Sequence, residues 1–168
     1  NNKMNYFKGI IFLTLLLVLS RVIPHPPNFT PILAGIIFLP FIRKDLTFSI
    51  IVPLAAMLIS DFFIGMHSLM FWTYAPIVFL SYVTYSLHKD SLTRIGSLSI
   101  ASPMVFFLIS NFGVWINSSS YAKNIFGLME CYFNAIPFYT SSAISCILFT
   151  AIFYSIRTFF LKKSLILN

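Results

Sequence analysis

Six apolar stretches joined by short polar links make up most of this chain, and they dictate the solvent in which it folds. They cover about residues 7–23, 31–42, 46–64, 69–87, 95–116 and 138–161. In hydrocarbon every backbone N–H and C=O must find its partner inside the protein, so apolar runs of this kind cross a bilayer as helices. The basic residues then set the direction of crossing. With six crossings, Lys3, Lys8, Arg43, Lys44, Lys89, Arg94, Arg157, Lys162 and Lys163 fall on one face, and Arg21 and Lys123 on the other. Lys and Arg accumulate in cytoplasmic loops, so the chain is expected to have six transmembrane helices with both ends of the chain in the cytoplasm.

The second stretch tests that expectation, because at 1.5 Å per residue it is short for a hydrocarbon core of about 30 Å. Charge decides the matter. A re-entrant second stretch would invert all that follows and leave only Lys3, Lys8 and Lys123 inside. Thr30 is placed to cap this helix and Pro31 suits its first turn. The segment Ser20-Arg21-Val22-Ile23-Pro24 makes a poor signal-peptide cleavage site, so the first span is expected to stay uncleaved. After the fifth span a longer outer link runs from Asn117 to about Pro137. Tyr121, Ile125, Leu128 and Tyr132 recur there at helical spacing, which predicts a short amphipathic helix at the outer surface. In the last span the pairs Ser141 with Ser145 and Ala151 with Ser155 would let another helix come close.

Composition narrows the function. Of 168 residues, 58% are hydrophobic and 9% charged, too little polar surface to cover a soluble globule. Residues 1–168 are therefore expected to form a single six-helix, all-α membrane domain. The net charge of +7 does not indicate nucleic acid, because the basic residues sit in ones and twos at span ends rather than in a stripe with aromatics. Cys131 and Cys146 are fifteen positions apart, which on a continuous helix is about 22 Å and beyond disulfide reach. No nucleotide loop, nucleophile elbow or zinc-protease motif occurs, and Asp61 and His67 lack the same-face spacing of helical metal ligands. No catalytic residue, metal ligand or cofactor is expected. No Asp or Glu lies mid-span, which disfavours self-driven, proton-coupled transport and puts the driving work on a partner.

The remaining polar residues gather at the outer face. Ionisable groups within spans are costly and face the bundle interior or a wet cavity, which makes Arg21 and Asp61 the sharpest pair. Either they hold each other as a structural ion pair, or they grip a solute, or both. Asn111 lies about one turn inside the fifth span, where its amide must bond a neighbouring helix or line a pocket. Candidate solute-binding residues are Arg21, His25, Asn28, Asp61, His67, Trp72, Asn111, Trp115, Tyr121, Glu130 and Tyr132. Charges of both signs beside indoles and phenols suit a flat heteroaromatic or zwitterionic solute.

Four segments carry a family resemblance: Ser20 to Ile32, Ser60 to His67, Ser110 to Trp115, and Tyr121 to Phe138 with its Glu130-Cys131-Tyr132 and Ala135-Ile136-Pro137-Phe138 motifs. Through them the chain resembles a family of bacterial transport proteins that is itself similar to the substrate-binding S components of energy-coupling-factor (ECF) vitamin transporters. The resemblance implies a multi-pass protein of the bacterial cytoplasmic (inner) membrane. Such a protein captures a micronutrient-like solute from outside and works with an energising transmembrane subunit and its ATPases. The chain departs from that pattern in one respect. Many S components carry Ala-x-x-x-Ala on the first helix for docking, and Gly9 to Val22 contains no alanine. Two other readings stay open at this point. One is an intramembrane enzyme acting at the outer face through His25, Asp61, His67 or Cys131; the other is a structural subunit of a membrane assembly.

Overall fold

The computed structural model describes residues 2–166, with side chains from 5 to 161, so the side chains of Lys3, Lys162 and Lys163 lie outside the described residues. Among the described residues the chain is all helical: α1 Asn2–Val22, α2 Ile32–Ile42, α3 Leu46–Ile64, α4 Met70–Leu87, α5 Leu92–Asn117, α6 Ile125–Asn134 and α7 Ile136–Ile166. Four of these helices carry windows long and apolar enough to cross a membrane, Asn5–Val22, Leu46–Ile64, Leu92–Asn117 and Ile136–Leu161, as a multi-pass membrane protein requires. α4 is 18 residues long but is diluted by Trp72, Thr73, Tyr74 and two further tyrosines, and α2 is a shorter apolar helix.

Two of the helix starts are set by side-chain caps. Asp45 caps α3, its Oδ1 accepting the Phe48 N–H at 2.9 Å, and Asn124 caps α6 by accepting the Gly127 N–H at 3.0 Å. Thr30 does not cap α2. The cap position belongs to Pro31, which contributes no side-chain bond but whose carbonyl accepts the Gly35 N–H at 2.8 Å. The amphipathic helix predicted after span five is present, but it begins at Ile125, so Tyr121 lies before it. Only Ala135 separates α6 from α7, so the expected loop up to Pro137 is largely helical.

α2 lies at the centre of the bundle. It packs against α3, α4, α5 and α7, and further seams join α1 to α3, α3 to α4, α4 to α5 and α5 to α7. Its residues Ile36 and Ile37 are fully buried with Val52, Ala56, Ile77 and Ile95 from the surrounding helices. The Thr84 hydroxyl ties α4 to this central helix by donating to the Ile36 carbonyl at 3.2 Å. α7 enters the core through Ser142, Ser145, Cys146 and Thr150. The second small pair expected to approach a helix, Ala151 with Ser155, is exposed instead, because α7 turns its Ser142 to Thr150 stripe inward.

The outer wall is apolar. Phe12, Phe62, Phe71, Phe126, Phe133 and Phe159 are each more than 60% exposed, an arrangement that hydrocarbon tolerates and water does not. The two ends of the bundle differ. One gathers Arg21, Asp61 and the links around them, and is called here the Asp61 end. The other, the Asp90 end, is closed by a bidentate pair in which both Arg157 amino groups donate to the Asp90 carboxylate at 2.8 Å. The adjoining guanidinium holds the Asp90 carboxyl below its ordinary value. A depressed carboxylate pKa stabilises the fold above the unfolded value and loses that effect as pH falls through the folded one.

Two predictions follow from this packing. Asp90→Asn lowers stability by about 0.2–1 kcal/mol, since Asp90 is exposed, and acidifying the wild type through the carboxylate range removes the same increment. Gly113→Ala costs more, about 1–3 kcal/mol, because a Cβ there would run into the Trp72 side chain. Thermal unfolding in detergent micelles measures both.

Candidate functional site: two polar cavities at the Asp61 end

Asp61 sits in the last turn of α3 and is 1% exposed, so its charge must be compensated inside the protein. Both oxygens are engaged. Oδ1 meets Arg21 Nη2 of α1 at 2.8 Å, and Oδ2 accepts the Tyr74 hydroxyl of α4 at 2.6 Å. Arg21 also donates to the Met57 carbonyl at 3.3 Å and to the Ser60 hydroxyl. His67 Nε2, from the α3–α4 link, stands 3.8 Å from Oδ2. Three helices are thereby fastened at one carboxylate, and the expected pairing of Arg21 with Asp61 is present.

Two polar cavities open beside this tie. The first, about 390 Å³, is lined by Arg21, His25, Asn28, Thr30, Ser142 and Ser145 together with aliphatic side chains of α2 to α4. The second, about 330 Å³, is lined by His67, Trp72, Ser110, Asn111, Tyr121 and Asn134, with Cys131 and Phe138 also on its wall. Asn28, Thr73 and Phe106 belong to both, so the cavities adjoin. Asn28 is the hinge of this arrangement. Its φ of 59° is left-handed, a conformation that asparagine tolerates better than most residues, and the Ser145 hydroxyl of α7 donates to its carbonyl at 3.4 Å.

The side chains around the second cavity are positioned from several elements. Trp72 of α4 seats against the bare backbone of Gly113 on α5 and contacts the Phe112 ring. Asn111 donates back to the Phe107 carbonyl at 2.9 Å, so one amide hydrogen is held within α5 while the side chain lines the cavity. From α6, Cys131 donates to the Asn111 carbonyl at 3.5 Å, and Asn134 donates to the Tyr121 hydroxyl at 3.5 Å. Burial pushes the Cys131 thiol above its ordinary value, so it remains an S–H at neutral pH.

Of the eleven residues expected in a site, seven line these cavities: Arg21, His25 and Asn28 in the first, and His67, Trp72, Asn111 and Tyr121, with Asn28 again, in the second. Asp61 lines neither and stands behind Arg21. Trp115 braces the α5–α6 link: its Nε1 donates to the Ala122 carbonyl at 2.9 Å, and Lys123 lies 5.6 Å above its ring while bonding the Trp115 and Ser118 carbonyls. The Tyr132 hydroxyl donates to the Leu108 carbonyl at 2.7 Å, and Glu130 is exposed and lines none of the cavities. Sequence reasoning left out Thr73, Ser110, Asn134, Ser142 and Ser145. Ser142 and Ser145 share a helical face, a signal that small-residue spacing alone could not separate from plain packing. Among the described residues no group of three or more His, Cys, Asp and Glu is placed to hold a metal ion.

Since Asp61 is buried and doubly bonded, Asp61→Asn strands the Arg21 guanidinium and destabilises the fold by about 3–5 kcal/mol, whereas the apolar double variant Arg21→Met with Asp61→Leu recovers most of that loss. Unfolding temperatures of the three proteins in the same detergent check this.

No curated protein and no solved structure matches the chain. A family model described as a family of unknown function (DUF6580) matches residues 1–166, nearly the whole sequence, and the chain therefore belongs to that family.

Proposed function

We propose that this protein is a substrate-binding membrane subunit for uptake of a small, micronutrient-like solute, captured from the outer face of a bacterial cytoplasmic membrane. In this reading α1 to α5 and α7 are six spans, the first and last helices enter from the cytoplasm, α6 lies at the outer surface, and the Asp61 end faces outward. The bias of basic residues toward the Asp90 end supports that orientation. The observation that carries the reading is the pair of adjoining polar cavities at one end of an otherwise apolar bundle. Their combined lining of amides, hydroxyls, imidazoles and aromatic faces offers orienting hydrogen bonds and stacking surfaces in the size range of small-molecule sites, about 300–1,000 Å³.

The lining favours a flat heteroaromatic or zwitterionic solute. No Asp, Glu, Lys or Arg is on the lining of the second cavity among the described residues, so recognition there rests on Asn28, Asn111 and Asn134 with Trp72 and Tyr121 as stacking partners. Arg21 offers a partly compensated positive charge to the first cavity, with a side chain 17% exposed. Asp61 acts through Arg21 by fixing its direction. The resemblance carried by Ser20 to Ile32, Ser60 to His67, Ser110 to Trp115 and Tyr121 to Phe138, to a bacterial transport family itself similar to the ECF S components, favours a capture role coupled to an energising transmembrane subunit and ATPases. An enzyme using Cys131 is the weaker reading, since burial holds that thiol protonated and it donates to the Asn111 carbonyl.

Native mass spectrometry of protein released from nanodiscs after mild purification tests the proposal. The expected result is a non-lipid adduct at one per chain whose occupancy falls about tenfold in Asn111→Leu, the loss that one hydrogen bond of about 1.4 kcal/mol produces, and is unchanged in Asp90→Asn. A clean apo mass beside a co-purifying protein would instead favour a structural subunit.

A further inference from the structure

The helices surrounding α2 do not form a closed ring. Seams join α1 to α3, α3 to α4, α4 to α5 and α5 to α7, and among the described residues no comparable seam joins α7 back to α1. The gap is a groove of about 810 Å³, twice either polar cavity, with α2 as its floor. Leu13, Leu16 and Leu17 of α1 form one wall, and Phe149, Phe153 and Phe160 of α7 the other. Among the described residues Arg157 is the one charged residue on its lining, and it lies where the groove meets the Asp90 end. The guanidinium stacks 4.8 Å over Phe41, and its bond to Asp90 uses two of its N–H donors and leaves three. Arg43 and Lys44 follow directly on Ile42, the last floor residue.

We propose that this groove is a binding site for an anionic phospholipid, whose acyl chain lies along α2 between α1 and α7 and whose phosphate meets Arg157. Length selects the occupant. An 11-residue helix makes a floor of about 16 Å, which matches the acyl depth of one leaflet, half of a core of about 30 Å, and is too short for a spanning helix to seat along its whole length. The walls agree. Helices that associate in membranes meet through small residues, whereas this groove presents leucines and phenylalanines with Gly35 as its one small lining residue, and Gly35 already lies under Leu17. Bulky flexible side chains around an apolar slot suit a hydrocarbon chain. Charge completes the match, because Arg157 at one end of the slot favours an anionic headgroup over a zwitterionic one. The site is separate from the polar cavities and does not depend on what they hold.

The full chain is reconstituted in phosphatidylethanolamine vesicles doped with phosphatidylglycerol or phosphatidylcholine carrying the same diazirine in one acyl chain, then irradiated and mapped by peptide mass spectrometry. Adducts are expected to concentrate on the α2 and α7 groove residues, with phosphatidylglycerol favoured about fivefold, the factor that one cation near the surface supplies. Arg157→Gln removes the preference. Gly35→Phe fills the floor and removes the groove adducts; Leu16→Trp narrows the rim to the same effect if the first variant does not fold. Adducts spread evenly over all lipid-facing helices with no headgroup preference would overturn the proposal, as would a dimer whose cross-links join groove to groove.

Discussion

A carboxylate held out of water at the end of a helix organises this bundle. A carboxylate buried there needs partners, and the chain supplies them to Asp61 from either side, Arg21 from α1 and Tyr74 from α4. Each contact crosses a helix seam. Satisfying one buried charge therefore fixes the register of three helices at the same end, and sets the walls against which Asn28 and Thr73 divide two cavities. The cost of breaking such a tie is what makes it a reliable frame for a binding site.

The short central helix sets the rest of the architecture. α2 is hydrophobic on all sides and mostly buried between Ile32 and Pro40, with Gly35, Phe41 and Ile42 left open on the groove side, so it must be largely surrounded. Five helices do this incompletely, which leaves polar cavities beyond its N-terminal end and an apolar groove along its flank. Polar and apolar spaces are thereby separated in one small chain. The first polar cavity borders the N-terminal turn of α2 and the groove its flank, so the two proposed sites do not overlap.

Much of this was legible beforehand, for physical reasons. Long apolar runs bounded by Pro24, Pro26, Pro27 and by Asp45 leave little freedom in where helices start and stop, and an ionisable pair at matching depth on α1 and α3 has no cheaper option than to meet. The expectation for Trp115 shows the limit. An indole near a helix end reads the same whether it stacks on a solute, anchors in the interface or braces a loop, and here it bonds Ala122. Thr30 failed as a cap because Pro31 already holds that position, and Tyr121 fell outside its helix because Asn124 starts the helix later. The groove between α1 and α7 had no signature in the sequence, since it arises from a seam that does not form.

The proposed capture from outside turns on which way the Asp61 end faces. Single cysteines at Ser119, exposed beside α6, and at Thr93, exposed at the start of α5, would report it in intact cells with a membrane-impermeant maleimide, the native Cys131 and Cys146 being buried. Labelling of Ser119→Cys with Thr93→Cys protected until the cells are broken is the predicted result. The reverse pattern would point both polar cavities into the cytoplasm and contradict capture from outside.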